Sequence, residues 1–253
     1  MQRLYLLIFG ILTLILCSCT NQFVPERLPV YFGVDKELLT NATTDSFPST
    51  GVNAGLLVIN DTSYPDSAPP LSQEGLEGFT SRLKAELGKR FPITLEKVIN
   101  YPQFKQGQNS HQFVQVAQKE GLDYLLLAVI SSAENEVPEQ LSFQGGRTGL
   151  GGGRGRLLGF RAENYALVEL ALLNGKTGHP VVHANGTAWS VLERLNVPID
   201  SNVYPVVRRN LTQPPIYPSN ESAYDVLRIV SADDAMKQAL MHFHEVWRKE
   251  PST

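Results

Sequence analysis

Two uninterrupted apolar runs, Gly55-Leu56-Leu57-Val58-Ile59 and Tyr124-Leu125-Leu126-Leu127-Ala128-Val129-Ile130, constrain this chain more than any other feature. Each has the length of a strand and is bounded by turn formers, Asn60-Asp61 after the first and Gly121 before the second. A strand that is apolar at every position has no face to give to water, so it belongs in a sheet covered on both sides. Helical signals stand where that cover is needed. Ser72 is placed to cap a helix in which Leu76, Phe79, Leu83 and Leu87 recur at three- and four-residue spacing. A shorter helix from about His111 buries Phe113, Val114 and Ala117 and stops at Gly121, a left-handed position. Between the helices, Ile93, Leu95, Lys97 and Ile99 alternate as in a half-exposed strand.

The second half changes character. Tyr165 to Leu173 predicts a strand, Asn174-Gly175-Lys176-Thr177-Gly178 a tight turn, and Pro180 to Val191 its hairpin partner. Residues 195–222 hold five prolines and predict irregular chain. A last helix is expected to open at Ser231-Ala232-Asp233-Asp234, with two acids at the positive end of its dipole. Its apolar stripe is Ala235, Met236, Ala239, Leu240, Phe243, Val246 and Trp247. The order β-α-β-α-β-β-β-α implies one α/β domain over residues 52–250, a mixed and mostly five-stranded sheet with helices packed on it. Leu57, Ile59, Leu126, Ala128, Leu170 and Leu172 are expected in that sheet, beneath Phe79 and Leu83.

The beginning of the chain carries a separate signal. Met1-Gln2-Arg3, an apolar run from Leu4 to Leu16 and then Cys17-Ser18-Cys19 are the three parts of an export signal. The run is too short for a spanning helix, which needs about 20 apolar residues. Leu16-Cys17-Ser18-Cys19 resembles the bacterial lipobox, with Leu at −3, Ser at −1 and Cys at +1; Cys17 would put Leu16 where a small residue is required. The resemblance implies a signal peptide over 1–18 and a diacylglycerol thioether, with acyl chains such as palmitate, on Cys19. More than one acyl chain makes such an anchor stable. Residues 19–51 then read as a flexible tether, polar around Asn41 to Ser46, with Val30-Tyr31-Phe32-Gly33-Val34 the stretch expected to touch the body.

The first strand, the segment Gly121-Leu122-Asp123-Tyr124-Leu125-Leu126-Leu127 and the hairpin Val168-Glu169-Leu170-Ala171-Leu172-Leu173-Asn174-Gly175-Lys176-Thr177-Gly178, joined to a lipobox and tether, resemble a group of envelope lipoproteins. The group includes the curli-secretion lipoprotein, the LpoB activator of peptidoglycan synthases and the rhombotarget-type lipoproteins. The likeness covers about residues 52–190. It implies a small α/β body related to the amino-terminal domain of TolB, and binding of partners without catalytic residues.

Charge and composition exclude several classes. Lys plus Arg number 22 against 25 Asp plus Glu, so nothing calls for nucleic acid. Both cysteines lie in residues 17–19, and the body therefore has no disulfide, thiol nucleophile or thiolate metal site. Gly175-Lys176-Thr177 lacks the earlier glycine of a phosphate loop and reads as a hairpin turn. His244-Glu245 lacks the second histidine of a zinc-protease helix, the position being Arg248, and His242 and His244 project to different faces. His179 and His183 have no third ligand in view, so no metal or cofactor is expected. Asp61, at the carboxyl end of a central strand, stands where open α/β sheets bind ligands, although Asn60 and Asp61 also suit a turn. Asn-x-Ser/Thr triplets at Asn41, Asn60, Asn185, Asn210 and Asn220 carry no meaning beside a bacterial lipobox.

Residues 144–162 hold eight glycines, four arginines and no acid. They read as a long hairpin connection, with Arg147, Arg154, Arg156 and Arg161 offered to an anionic partner as the alternative to idle linkage. The reading as a whole is a non-enzymatic outer-membrane lipoprotein, held by lipidated Cys19 and facing the periplasm, that scaffolds an envelope protein partner. An oligomeric secretion pore of the curli type is the alternative, and an envelope enzyme a lesser one. A pore needs hairpins of about 9–11 alternating residues per strand, which residues 141–163 and 191–222 do not offer.

Overall fold

The computed structural model describes residues 24–33, 37–40, 51–99, 110–144, 154–197, 203–209 and 213–249. Two short helices come first, α1 (Leu28–Phe32) and α2 (Glu37–Thr40). Strand β1 (Val52–Asp61), helix α3 (Gln73–Arg90), β2 (Ile93–Ile99), α4 (His111–Glu120) and β3 (Tyr124–Gln144) follow. The chain continues through β4 (Arg154–Asn174), β5 (Pro180–Leu195) and β6 (Val206–Arg208) to α5 (Ala223–Lys249). The sheet has the order β2-β1-β3-β4-β5-β6. The expected α/β class and mixed sheet are present: β1 pairs with β2 and β3 in parallel, and the remaining neighbours are antiparallel. The sheet has six strands rather than five, because Val206–Arg208 in the proline-containing segment adds an edge beside Val191 to Glu193.

The two apolar strands lie at the centre with both faces covered. On one face Leu56, Leu126, Ala128, Val168, Leu170 and Leu172 meet Phe79, Leu83 and Leu87 of α3 and Ala235, Ala239 and Phe243 of α5. On the other, Leu57, Leu125, Leu127 and Leu173 meet Phe113 and Ala117 of α4 and Leu28, Tyr31 and Phe32 of α1. All six residues expected in one sheet are there, but Leu57 and Ile59 point away from α3. Register explains it, since Leu56 and not Leu57 stands opposite Leu126, and a one-residue step reverses the face. The same rule acts within β2: Ala54 pairs with Leu95 and Gly55 with Lys97, so Glu96 is an extra residue and Ile99 crosses to the second core.

Three local expectations hold. Ser72 caps α3 by accepting from the Gly75 amide at 3.0 Å. Gly121 closes α4 in the left-handed conformation, φ 67°. Asn174 Oδ1 accepts from the Lys176 and Thr177 amides in the β4–β5 turn, which places Gly175-Lys176-Thr177 in a hairpin. In α4, however, Val116 is buried beside Phe113 and Ala117, and Val114 is only half-buried.

The last helix begins eight residues before its expected cap. Ala223, Leu227 and Val230 already continue the helical stripe, and Ser231 is an interior residue. Its hydroxyl bonds back to the Leu227 carbonyl and across to Asn164 Oδ1 at 2.6 Å. Mid-helix serine is tolerated when its hydroxyl is satisfied in this way. Asp233 and Asp234 are ion-pair partners of Arg82 and Lys237 rather than dipole caps. The helix sits so close to β5 that a Cβ at Gly186 would overlap the Ala235 and Ala239 backbone.

The largest departure is the β3–β4 hairpin. Its ladder is unbroken from Tyr124 opposite Asn174 to Gln144 opposite Arg154, about 70 Å of paired chain at roughly 3.3 Å per residue. Of the connection expected over 144–162, Gln144 and residues 154–162 therefore belong to strands, Arg154, Arg156 and Arg161 among them. Cross-strand partners supplied by β3 decide this, and β4's own glycine content conceals it.

Leu126 is fully buried between the central strand and α3. Replacing it with Ala should cost about 2–5 kcal/mol, the usual loss for a large aliphatic side chain in a packed core. Chemical denaturation of the Leu126→Ala body checks this, and an unchanged midpoint would contradict the architecture.

Candidate functional site

Buried polar groups gather where residues 24–33 dock on the second face of the sheet. The tether expectation is corrected over residues 24–33, and the contact expected around Val30 to Val34 is present: Val24, Leu28, Tyr31 and Phe32 are buried, and the Phe32 and Phe113 rings stand 5.2 Å apart. The aromatic and aliphatic residues around Val30 and Tyr31 are what α4, a helix of ten residues, needs to finish covering that face.

Arg27 and two buried acids fix the docked segment. Asp61 ends β1 and accepts from the Ser63 amide at 2.9 Å and from the Ser63 hydroxyl, which is the turn expected there. Its other oxygen accepts from Arg27 Nε at 2.9 Å, and the Arg27 guanidinium lies over the Tyr64 ring. Burial alone would raise the Asp61 pKa, but the Ser63 and Arg27 hydrogen bonds outweigh it and hold the carboxyl below its usual range. Burial, with Asp61 close by, pushes the Tyr64 phenol up to about 12. Asp61 therefore lies at the strand end expected of a ligand site, and the chain's own Arg27 occupies it.

Glu169 is the second acid, 3% exposed in the middle of β4. Its carboxyl accepts from the Arg27 amide at 2.7 Å and the Leu28 amide at 3.0 Å, and so caps α1 from the strand beneath it. Desolvation outweighs those bonds and raises its pKa to about 7. Nothing in the sequence reading singled Glu169 out. The available signal was an acid set inside the apolar run Ala166 to Leu173.

Beside this clamp opens a cleft of about 500 Å³ whose lining includes Glu26, Glu37, Leu39, Glu169, His183 and Asn185. Asn185 Nδ2 donates to Glu26 at 3.0 Å, and partial desolvation lowers the His183 pKa against the opposing pull of Glu26. Among the described residues, no group of three His, Cys, Asp or Glu side chains is arranged to hold a metal ion. His179 stands in the β4–β5 turn and His183 on β5 at the cleft, so the two do not form one site. His242 bonds through Nδ1 to the Asn185 carbonyl, and the His244 ring stands 5.5 Å from that of Phe91.

Three of the four arginines, Arg154, Arg156 and Arg161, lie on β4 rather than in the loop expected there. Arg161 is ion-paired with Glu163 at 2.9 Å and lies 3.9 Å from Glu139. Arg156 is exposed on β4 and Arg154 pairs with Gln144 at the far end of the ladder. Arg147 and Cys19 lie outside the described residues.

Because the Glu169 pKa is raised on folding, its contribution to stability is full below about 4.5 and is lost as pH rises through about 7. The loss is on the order of 3 kcal/mol for a shift of this size. Glu169→Gln keeps an acceptor for the two amides and removes the ionisation. The variant should match the parent near pH 5 and exceed it in stability at pH 8, as read by denaturant titration at both pH values; identical pH dependence of the two proteins would contradict the assignment.

No family model matches the chain, and no curated protein matches it in sequence. Solved structures similar to it include the PelC dodecamer from Paraburkholderia phytofirmans, 13% identical over 78% of this chain and 94% of that one, with a TM-score of 0.27. A single-substitution variant of that PelC is 14% identical over 78% and 95% of the two chains, with the same TM-score. A Helicobacter pylori protein described as a neuraminyllactose-binding hemagglutinin homolog is 10% identical over 82% and 95%, with a TM-score of 0.36. Superpositions this loose define neither a family nor a function for the chain.

Proposed function

We propose that this chain is a lipid-anchored protein of the outer membrane whose α/β body faces the periplasm and binds an envelope protein partner without catalysing a reaction. The observation that carries the reading is Leu16-Cys17-Ser18-Cys19 directly after the apolar run from Leu4 to Leu16, with no other cysteine in the chain. Among the described residues no helix is long and apolar enough to cross a membrane. The non-enzymatic part is supported by how the buried charges are used. Asp61 holds Arg27, Glu169 caps α1, and Glu134 receives the Arg228 guanidinium in two hydrogen bonds at 2.8 and 3.0 Å. Each joins two elements of the fold.

One observation favours the secretion-pore reading: each arm of the β3–β4 hairpin is 21 residues long, more than a bilayer-crossing strand needs. The side chains oppose it. Glu134 and Glu136 stand on one face of the ribbon and Glu139, Arg161 and Glu163 on the other, so neither face has the apolar band that lipid requires. The scaffold reading therefore stands first.

Mass spectrometry of the mature amino terminus tests the anchor. Cys19→Ala should leave unprocessed precursor, whereas Cys17→Ala should mature normally. A free, unacylated terminus downstream of Cys19 would end the lipoprotein reading.

The arginine contact has its own test, now divided by the fold. Replacing Arg147, Arg154 and Arg156 with Ser should change stability by no more than about 0.5 kcal/mol. If these groups meet an anionic partner, capture of that partner at low salt should weaken, and the difference should shrink at about 0.15 M salt, where charges reach only some 8 Å. Arg161→Ser should instead disturb the ribbon, because it breaks an ion pair.

A further inference from the structure

The docked amino-terminal segment limits how far the body can stand from residue 19. Val24 is buried against Tyr64, Ala133, Leu167 and Tyr165 on the second face of the sheet. Only five residue steps separate it from Cys19, a reach of about 17 Å for fully extended chain. A body tethered from Val52 alone would have 33 steps and a root-mean-square reach of about 30–35 Å. The clamp formed by Arg27 with Asp61 and by Glu169 with α1 therefore replaces a long tether with a short one.

What lies beside that attachment point is suited to a lipid surface. Ala133, Tyr165 and Trp189 form one cross-strand row over β3, β4 and β5, so Trp189 shares the face of the Tyr165 ring that packs near Val24. Trp189 is 50% exposed, a large apolar side chain open on the face where Val24 packs. The nearby charges do not oppose an approach: Glu163 is paired with Arg161 and also accepts from the Tyr165 hydroxyl at 2.8 Å. Tryptophan and tyrosine settle at membrane interfaces because their rings are amphipathic.

From the short leash and this row together, we infer that the clamped segment seats the body on the membrane surface, with Trp189 of β5 at the level of the lipid headgroups. The inference rests on lipidation of Cys19. It names a lipid surface as the occupant of this face, because an anchored chain of this reach cannot leave the bilayer's vicinity while the clamp is closed.

The chain has two tryptophans, so Trp247→Phe leaves Trp189 as the sole emitter. The probe is full-length lipidated protein in vesicles of phosphatidylethanolamine and phosphatidylglycerol, with acrylamide as aqueous quencher and a headgroup-labelled spin lipid as shallow quencher. Expected are a blue-shifted emission, a several-fold loss of acrylamide quenching relative to the unlipidated body, and strong quenching by the spin lipid. Opening the clamp with the charge-balanced pair Arg27→Ala and Asp61→Ala should return Trp189 to acrylamide while the protein still floats with the vesicles. Protein that floats but keeps Trp189 open to acrylamide would overturn the seating and leave the anchor intact. Shielding from acrylamide without spin-lipid quenching would assign this face to a protein neighbour and overturn it equally. Failure to float, with Cys19 unmodified by mass, would overturn the anchor and the seating together.

Discussion

The structure depends on a parallel pair of strands, β1 and β3, that is apolar on both faces. A sheet with such a centre must be covered twice, and the chain meets the two demands unequally. Helices α3 and α5 cover one side with 18 and 27 residues. The other receives α4, of ten residues, and among the described residues the apolar surface beside it is filled by the segment before β1. Docking of α1 thus follows from the sheet's own composition. The Phe32 ring, with no solvent exposure, completes the core as much as any strand residue does.

Much of this was legible in the sequence because burial patterns are local. The both-sides-buried strands, the Ser72 cap, the Gly121 stop and the Asn174–Gly178 turn each depend on a few neighbouring residues. Features that depend on distant partners were not legible. Strand β4 before Tyr165 has the glycines and arginines of a linker, and its strand conformation comes from β3, whose Asn135, Val137 and Glu139 stand opposite Glu163, Arg161 and Gly159. Ser231 has the look of a helix cap until Asn164 is brought against its hydroxyl. The sixth strand, three residues long, exists because β5 offers it an edge. The candidate site divides in the same way. Asp61 was visible as an acid at a strand end, while its occupant, Arg27, sits 34 residues away in a stretch that reads as tether.

The two buried acids solve the same problem at different cost. Asp61 is compensated by two donors from Ser63 and by the Arg27 guanidinium, which hold its carboxyl below the usual range. Glu169 receives two backbone amides, and the nearest full positive charge, on Arg27, is already engaged with Asp61. At Asp61 the Ser63 hydroxyl and amide, with Arg27 added, outweigh burial, whereas at Glu169 the two amides do not. One arginine serves both acids, through its side chain at the first and its backbone at the second.

That division of labour sets the position of α1. A proline at residue 29 has no amide hydrogen, and the Val30 amide is already bonded to the Arg27 carbonyl at 2.9 Å. The amides left at the start of the helix are those of Arg27 and Leu28, the two that Glu169 accepts. Moving the segment by one residue in either direction would present Pro29 to Glu169 or carry the Arg27 guanidinium away from Asp61. It would also withdraw Tyr31 and Phe32 from the gap beside α4. Apolar cover alone would tolerate such a slip, since one aromatic can replace another in a loosely shaped gap. The paired acids do not. They select a single register for the segment and with it a single exit point, Val24, for the chain that leads toward Cys19.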